Sequence, residues 1–216
     1  MLKGAIFDMD GTLLDTERLY QEGWYNVAEE FGETPSRELP RAVSGASGPK
    51  MEEILHEFYP KVDARKYVER VVDYVLKKTA EKIDLMPNVK EILAFFKENH
   101  VPMAVASSSP PDVIRKNLSK AGIVEEFEVL ISGEEVEHGK PAPDIFIKAA
   151  ELLQLLPQEC YVFEDSINGI HAAAAANCAA IMIPDQVQPD EETKKLALAI
   201  YPSLGAACAA IKRGEI

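Results

Sequence analysis

Asp8 and Asp10 stand two residues apart in Asp8-Met9-Asp10-Gly11-Thr12, where a short apolar run over 4–8 ends. Two carboxylates so placed suit a division of labour in which one attacks an electrophile and the other moves protons. Gly11 frees the backbone to turn beyond them. A plain turn with an Asx cap uses the same residue types, so the pair alone leaves both readings open. Three further segments place polar groups directly after apolar runs. Ser107-Ser108-Ser109 offers hydroxyls and amides suited to an anion, or an ordinary helix cap. In His138-Gly139-Lys140-Pro141-Ala142-Pro143-Asp144 two prolines fix a loop from which Lys140 projects, unless it is a surface lysine. Glu164-Asp165, followed by Ser166-Ile167-Asn168-Gly169, is a second carboxylate pair, with Asp165 as a helix cap the alternative.

The elements that must position these groups follow from hydrophobic periodicity. Runs at 4–8, 101–106, 128–132, 160–164 and 179–183 read as buried parallel strands. Helical stripes lie between them, for example Val89, Ile92, Leu93 and Phe96, then Ile145, Phe146, Ala149 and Leu153. This alternation predicts an α/β fold, a parallel sheet with helices on both faces, whose ligands bind beyond the carboxyl ends of the strands. Loops 8–12, 107–111, 133–143 and 165–169 then meet at one edge, and four unrelated turns explain that convergence poorly. The segment 14–86 breaks the rhythm with helical stripes and no convincing strand, and reads as a helical cap inserted into a core of 1–13 and 87–216. Pro87 suits the first turn of the helix after it, and the crossings near 13–16 and 80–87 are candidate hinges.

Composition narrows the function classes. The chain has 216 residues, 47% hydrophobic and 27% charged, which is the ordinary globular range. Its net charge of −13 argues against nucleic acid or an anionic membrane as partner, while a local cation still permits a small phosphorylated metabolite. Cys160, Cys178 and Cys208 form no CxxC pair, so neither a zinc site nor a disulfide framework is expected, and the reading is a cytoplasmic protein. Neither a signal-peptide pattern nor a membrane-length apolar run is present. No obligatory protein partner is expected.

With these residues in place, the chain resembles the haloacid dehalogenase-like superfamily, in particular members with a small helical cap between their first two motifs. The resemblance covers about 4–212 and rests on four ordered motifs: DMDGT from Asp8, ASS around Ser107, GKPAPD around Lys140 and FEDSING around Asp165. It implies a Rossmann-like core, Mg²⁺ and an aspartyl-phosphate intermediate. Asp8 is then the nucleophile, Asp10 the acid and base, Ser107 a holder of phosphoryl oxygens and Lys140 a second cation. The ion would be held by Asp8, Asp165, the Asp10 carbonyl and Glu164. A carboxylate meeting a phosphate faces repulsion of ~4 kcal/mol per unit pair at 4 Å and an effective dielectric of 20, so positive charge is required.

Within this family the resemblance points to phosphatases, with β-phosphoglucomutases as the alternative. A mutase cap typically carries a His where this chain has Tyr20, and an Arg in the loop that reads Ser44-Gly45-Ala46-Ser47-Gly48. Lys50 or Lys78 remain possible substitutes for a basic group. The run Asp15-Thr16-Glu17-Arg18-Leu19-Tyr20 is similar to sugar-phosphate and nucleoside-monophosphate phosphatases, including the pseudouridine 5′-phosphatase group. Thr16, Glu17, Tyr20 and Ser108 are therefore candidate substrate contacts, although the first three also suit the start of an amphipathic helix. Trp24 and Phe31, at helical spacing, are expected in the cap core. Pro110-Pro111 departs from the polar residues often found after the serines. Dehalogenation is disfavoured because it needs no second metal-binding Asp. A third reading, a phosphoacceptor module, shares the Asp, acidic ligands and Lys; the large cap and the DxDGT order disfavour it.

Overall fold

The computed structural model describes residues 2–43 and 48–216. In chain order the elements are β1 (Gly4–Phe7), α1 (Glu17–Glu30), α2 (Leu39–Val43), α3 (Gly48–Phe58), α4 (Ala64–Glu81), α5 (Val89–Glu98), β2 (Met103–Ser107) and α6 (Pro111–Ala121). They continue as β3 (Val129–Ser132), α7 (Asp144–Leu152), β4 (Cys160–Glu164), α8 (Ile167–Ala175), β5 (Ala179–Met182), α9 (Glu191–Leu196), β6 (Ala199–Ile200) and α10 (Leu204–Arg213).

The strands form one parallel sheet in the order β3-β2-β1-β4-β5-β6. Successive strands step outward from β1 to β3, and the chain then returns to the other side of β1 to lay down β4. The gap between β1 and β4 is thus the topological switch point, where ligand crevices open in doubly wound Rossmann-like sheets. β1 and β4 run in register, Phe7 opposite Phe163, and their rings stack at 4.8 Å. All four residues of β1 are buried, as the uninterrupted sequence GAIF requires of a central strand covered on both faces. Ile6, Val162, Phe146 and Ile170 join the core on one side of the sheet.

The chain divides into two compact units, Met1–Leu14 with Asp84–Ile216, and Asp15–Ile83. The helical unit is thus narrower than the 14–86 read from the sequence. Met86 N–H donates to the Leu13 carbonyl at 2.9 Å, and Leu14 bridges Leu85, so the paired crossings belong to the sheet unit. The helical unit has its own core of Trp24, Val27, Leu39, Leu55, Tyr67 and Val71. Trp24 and Tyr67 stack at 6.0 Å, and the Tyr67 hydroxyl donates to the Trp24 carbonyl at 2.7 Å.

Three local readings need correction. Pro87 lies before the helix: Asn88, at φ +64°, is the N-cap and α5 starts at Val89. The second strand begins at Met103, two residues later than read, since Pro102 has no N–H to give a ladder. Ser166, in place of Asp165, caps α8 by accepting from Gly169 N–H at 3.0 Å.

Candidate active site

Asp8 follows β1 directly, and its N–H donates to the Phe163 carbonyl at 2.9 Å, which fixes the carboxylate at the switch point. Beyond it the chain folds into a tight loop. Leu13 and Leu14 N–H groups both return to the Met9 carbonyl, and Gly11 N–H donates to Leu14 O at 2.9 Å. Gly11 sits at φ +83°, a conformation that a side chain at this point would strain. This loop sets Asp10 beside Asp8 and turns Thr12 inward, where its hydroxyl meets Asp165 Oδ1 at 3.3 Å.

Lys140 is drawn into the interior, where it uses all three ammonium protons. It donates to Asp8 Oδ1 at 2.6 Å, Glu164 Oε1 at 2.6 Å and the Ala106 carbonyl at 3.0 Å. The Phe146 ring lies 5.0 Å from the ammonium. The projecting lysine read from the loop therefore projects into the protein. Burial opposes its charge, but Asp8 and Glu164 more than offset that and hold its pKa above the ordinary lysine value.

Glu164 is 1% exposed, and both of its oxygens are engaged. Oε1 receives Lys140, and Oε2 receives the Ser166 N–H at 2.9 Å and its hydroxyl at 2.8 Å. Gly169 makes room for this arrangement, because a Cβ there would lie 1.9 Å from the carboxylate. Asp8 has the opposite electrostatic problem from Lys140. Burial raises its pKa well above the usual carboxylate range, Glu164 and Asp10 add to that, and Lys140 offsets only part.

Ser107 ends β2 and is buried, with its Oγ accepting from Ser109 N–H at 3.1 Å; Ser108 is exposed. Ser109 does work that the sequence reading gave to no residue: its hydroxyl donates to Asp10 Oδ2 at 3.0 Å. Its own carbonyl accepts from the Ser132 hydroxyl at 2.7 Å, which anchors the loop to β3. The serines do not cap α6, whose N-cap is Pro110.

The sheet unit thus brings together Asp8, Asp10, Ser107, Lys140, Glu164 and Asp165. Thr12, Ser109, Ser166 and Gly169 are the supporting residues that the sequence reading did not assign. All but Ser109 lie inside the DMDGT and FEDSING motifs, so motif spacing was the available signal for them. Thr16, Glu17 and Tyr20 belong to the helical unit, Thr16 buried and the other two half-buried at the start of α1. Ser44-Gly45-Ala46-Ser47, most of the loop compared with a mutase arginine, lies outside the described residues.

A buried lysine bracketed by two carboxylates thus stands at the switch point of a doubly wound α/β sheet, where ligand crevices open. The haloacid dehalogenase-like hydrolase family model matches residues 5–183. Among curated relatives, a phosphorylated carbohydrates phosphatase of Thermotoga maritima is 34% identical, covering 81% of this chain and 82% of its own. Hexitol phosphatase B of Escherichia coli K12 is 32% identical, covering 83% of this chain and 82% of its own. A Thermotoga maritima structure assigned as a beta-phosphoglucomutase superposes with a TM-score of 0.82 at 27% identity, covering 98% of this chain and 99% of its own. The chain belongs to the haloacid dehalogenase-like hydrolases. Within that family it is a hydrolase of phosphate monoesters.

Proposed function

We propose that the chain is a Mg²⁺-dependent phosphatase that hydrolyses a small sugar, polyol or nucleoside monophosphate through an aspartyl-phosphate at Asp8. The observation that carries this reading is the 2.6 Å bond from Lys140 to Asp8 Oδ1. It aims a buried carboxylate and leaves Oδ2 as the oxygen we assign to attack. Attack on phosphorus breaks the ester P–O bond while Asp10 gives a proton to the leaving alcohol. Asp10 then takes a proton from the water that attacks phosphorus, and the Asp8–phosphorus bond breaks to release phosphate. The bond from Ser109 to Asp10 supports this role by orienting the carboxylate. Ser107 and Ser108, with neighbouring amides, are assigned to the phosphoryl oxygens, and Thr16, Glu17 and Tyr20 to the substrate.

The donor set suits Mg²⁺. Asp8, Asp165 and the Asp10 carbonyl are all oxygen donors, and Mg²⁺ is commonly bound by one or two carboxylates, with waters and substrate phosphate completing its shell. When bound, the ion neutralises charge between carboxylate and phosphate. We assign Glu164 to this site through Lys140, since both of its oxygens are already engaged.

The mutase reading has the Thermotoga maritima neighbour in its favour and Tyr20, in place of a histidine, against it. Phosphate release from a panel of sugar, polyol and nucleoside monophosphates, with Mg²⁺ and with EDTA, tests the proposal. Release that stops in EDTA is expected. Conversion of β-glucose 1-phosphate to glucose 6-phosphate with little free phosphate favours the mutase instead. We place the protein in the cytoplasm because its three cysteines are free thiols. Among the described residues no helix is long and apolar enough to cross a membrane.

A further inference from the structure

Cys160 opens β4, and Cys178 stands one residue before β5. The two strands pair in parallel with Tyr161 opposite Ala179, so the same register carried back one residue sets Cys160 opposite Cys178. Side chains alternate between the two faces of a strand. Cys160 and Val162 share one apolar cluster with Ala180 and Met182, and Cys178 packs against that cluster, so both thiols stand on the same face of the sheet. Neighbouring strands lie ~4.8 Å apart, and a disulfide joins Cα atoms ~4.4–6.8 Å apart. Burial raises both thiols, Cys160 to about 11 and Cys178 to about 12, and Cys160 adds to the rise at Cys178, as a near neighbour does. The two differ in access. Cys160 is fully buried, and its thiol donates to the Leu156 carbonyl at 3.7 Å. Cys178 is half-buried and lines an open cavity of about 680 Å³ with Gln158, Asn177 and Leu198. This cavity lies at the amino ends of β4 and β5, and Asp8 lies at the carboxyl end of the parallel β1.

We propose that Cys160 and Cys178 form a thiol–disulfide site that takes a small soluble disulfide, with Cys178 as the entry thiol and Cys160 as the resolving one. As a thiolate, Cys178 attacks one sulfur of the reagent, whose S–S bond breaks to release the first reagent thiol. Cys160, deprotonated in turn, attacks the Cys178 sulfur; the mixed S–S bond breaks, and the second reagent thiol leaves. The two cysteines lose two electrons, the small disulfide gains them, and the two cysteine protons end on the released thiols. Both thiols ionise far above neutrality, so closure is slow near pH 7 and gains about tenfold per pH unit, as the thiolate fraction does. Cys208, buried on α10, takes no part. Residues 160 and 178 flank Glu164, Asp165 and the whole of α8, so the bond ties together both ends of the segment that carries them. Oxidising conditions are thereby registered as a fastening of that strand and helix. A pair that is reduced at rest and closes under oxidation matches the transient, redox-sensing disulfides of reducing compartments.

The reduced full-length protein is incubated for a day with glutathione disulfide at pH values from about 7 to 9, quenched in acid, alkylated and digested without reductant. The expected product is a cross-linked peptide pair joining Cys160 to Cys178, reversed by dithiothreitol, with Cys208 alkylated. Cys160→Ala is expected to stop at a glutathione adduct on Cys178, and Cys178→Ala to leave Cys160 alkylated. In the oxidised protein, amide exchange over Ile167–Ala175 should slow several-fold and return on reduction. The site is overturned if both thiols are still alkylated at the highest pH, if a glutathione adduct persists on Cys178 of the wild-type chain, or if the disulfide runs through Cys208. Unchanged exchange over α8 in the cross-linked protein overturns the fastening.

Discussion

A Cβ on residue 169 would lie 1.9 Å from the Glu164 carboxylate, and Glu164 holds Lys140, which holds Asp8. Gly169→Ala is therefore expected to cost turnover without touching substrate. A displacement of about 1 Å at the nucleophile can cost ~10²-fold, and the loss should fall on kcat more than KM. Steady-state kinetics check this, and Glu164→Asp in the same chain, which shortens the crowded side chain, should restore part of the activity. Asp8→Asn makes a second, paired expectation. Turnover should disappear while the melting temperature of the metal-free protein holds or rises, because a carboxylate crowded by burial, Glu164 and Asp10 has been neutralised. Calorimetry on the EDTA-treated variant reads the second half, and a clear drop contradicts it. The sequence offers Asp8 and Asp165 as candidates because each directly follows an apolar strand run, and Lys140 because two prolines fix the loop that carries it after β3. Ser109 was not legible, since its bond to Asp10 depends on how two distant loops meet.

Strands and long helices were readable because burial on both sides leaves an apolar run and burial on one side leaves a stripe. β6, two residues long, and α2, five residues long, leave no such pattern. Helix caps hold testable chemistry at this scale. Asp63 accepts from Lys66 N–H at the start of α4, and Asp190 from Thr193 N–H at the start of α9. Those backbone bonds, each the main cause, hold both carboxyl groups below their ordinary pKa. The stabilisation is complete above the unfolded carboxylate pKa and is lost as pH falls through the lowered, folded value. Asp63→Asn and Asp190→Asn should accordingly flatten the acid limb of thermal stability against pH, with little effect near neutrality. In the helical unit, Tyr67→Phe removes the partner of the Trp24 carbonyl and should cost about 1–3 kcal/mol in denaturant unfolding.

The molecule as a whole carries a net charge of −13 yet is built to receive an anion. The long-range field repels a phosphorylated substrate, and in the proposed reaction the local attraction would come from Lys140 together with a bound Mg²⁺. Raising ionic strength from low to physiological values should therefore raise kcat/KM, the reverse of steered association, and a steep fall would contradict this. The division into a sheet unit and a helical unit was legible from the break in strand–helix rhythm after the first strand. Its borders were not, because Leu13, Leu14, Leu85 and Met86 look like cap-edge residues until their backbones are seen to pair.

The central claim is that Asp8 itself carries the phosphoryl group. The direct measurement is acid quenching of the Asp10→Asn protein after mixing with Mg²⁺ and a phosphomonoester, followed by mass spectrometry of its peptides. Asp10→Asn removes the group assigned both to protonate the leaving alcohol and to activate water, so with p-nitrophenyl phosphate as the phosphomonoester, whose phenolate leaves without a proton, the intermediate should accumulate. The account predicts the mass of one phosphoryl group on the peptide containing Asp8, absent from the Asp8→Asn protein. Hydrolysis by the wild-type protein with no phosphorylated peptide at any quench time, in either the wild type or the Asp10→Asn protein, would contradict it and assign the attack to water.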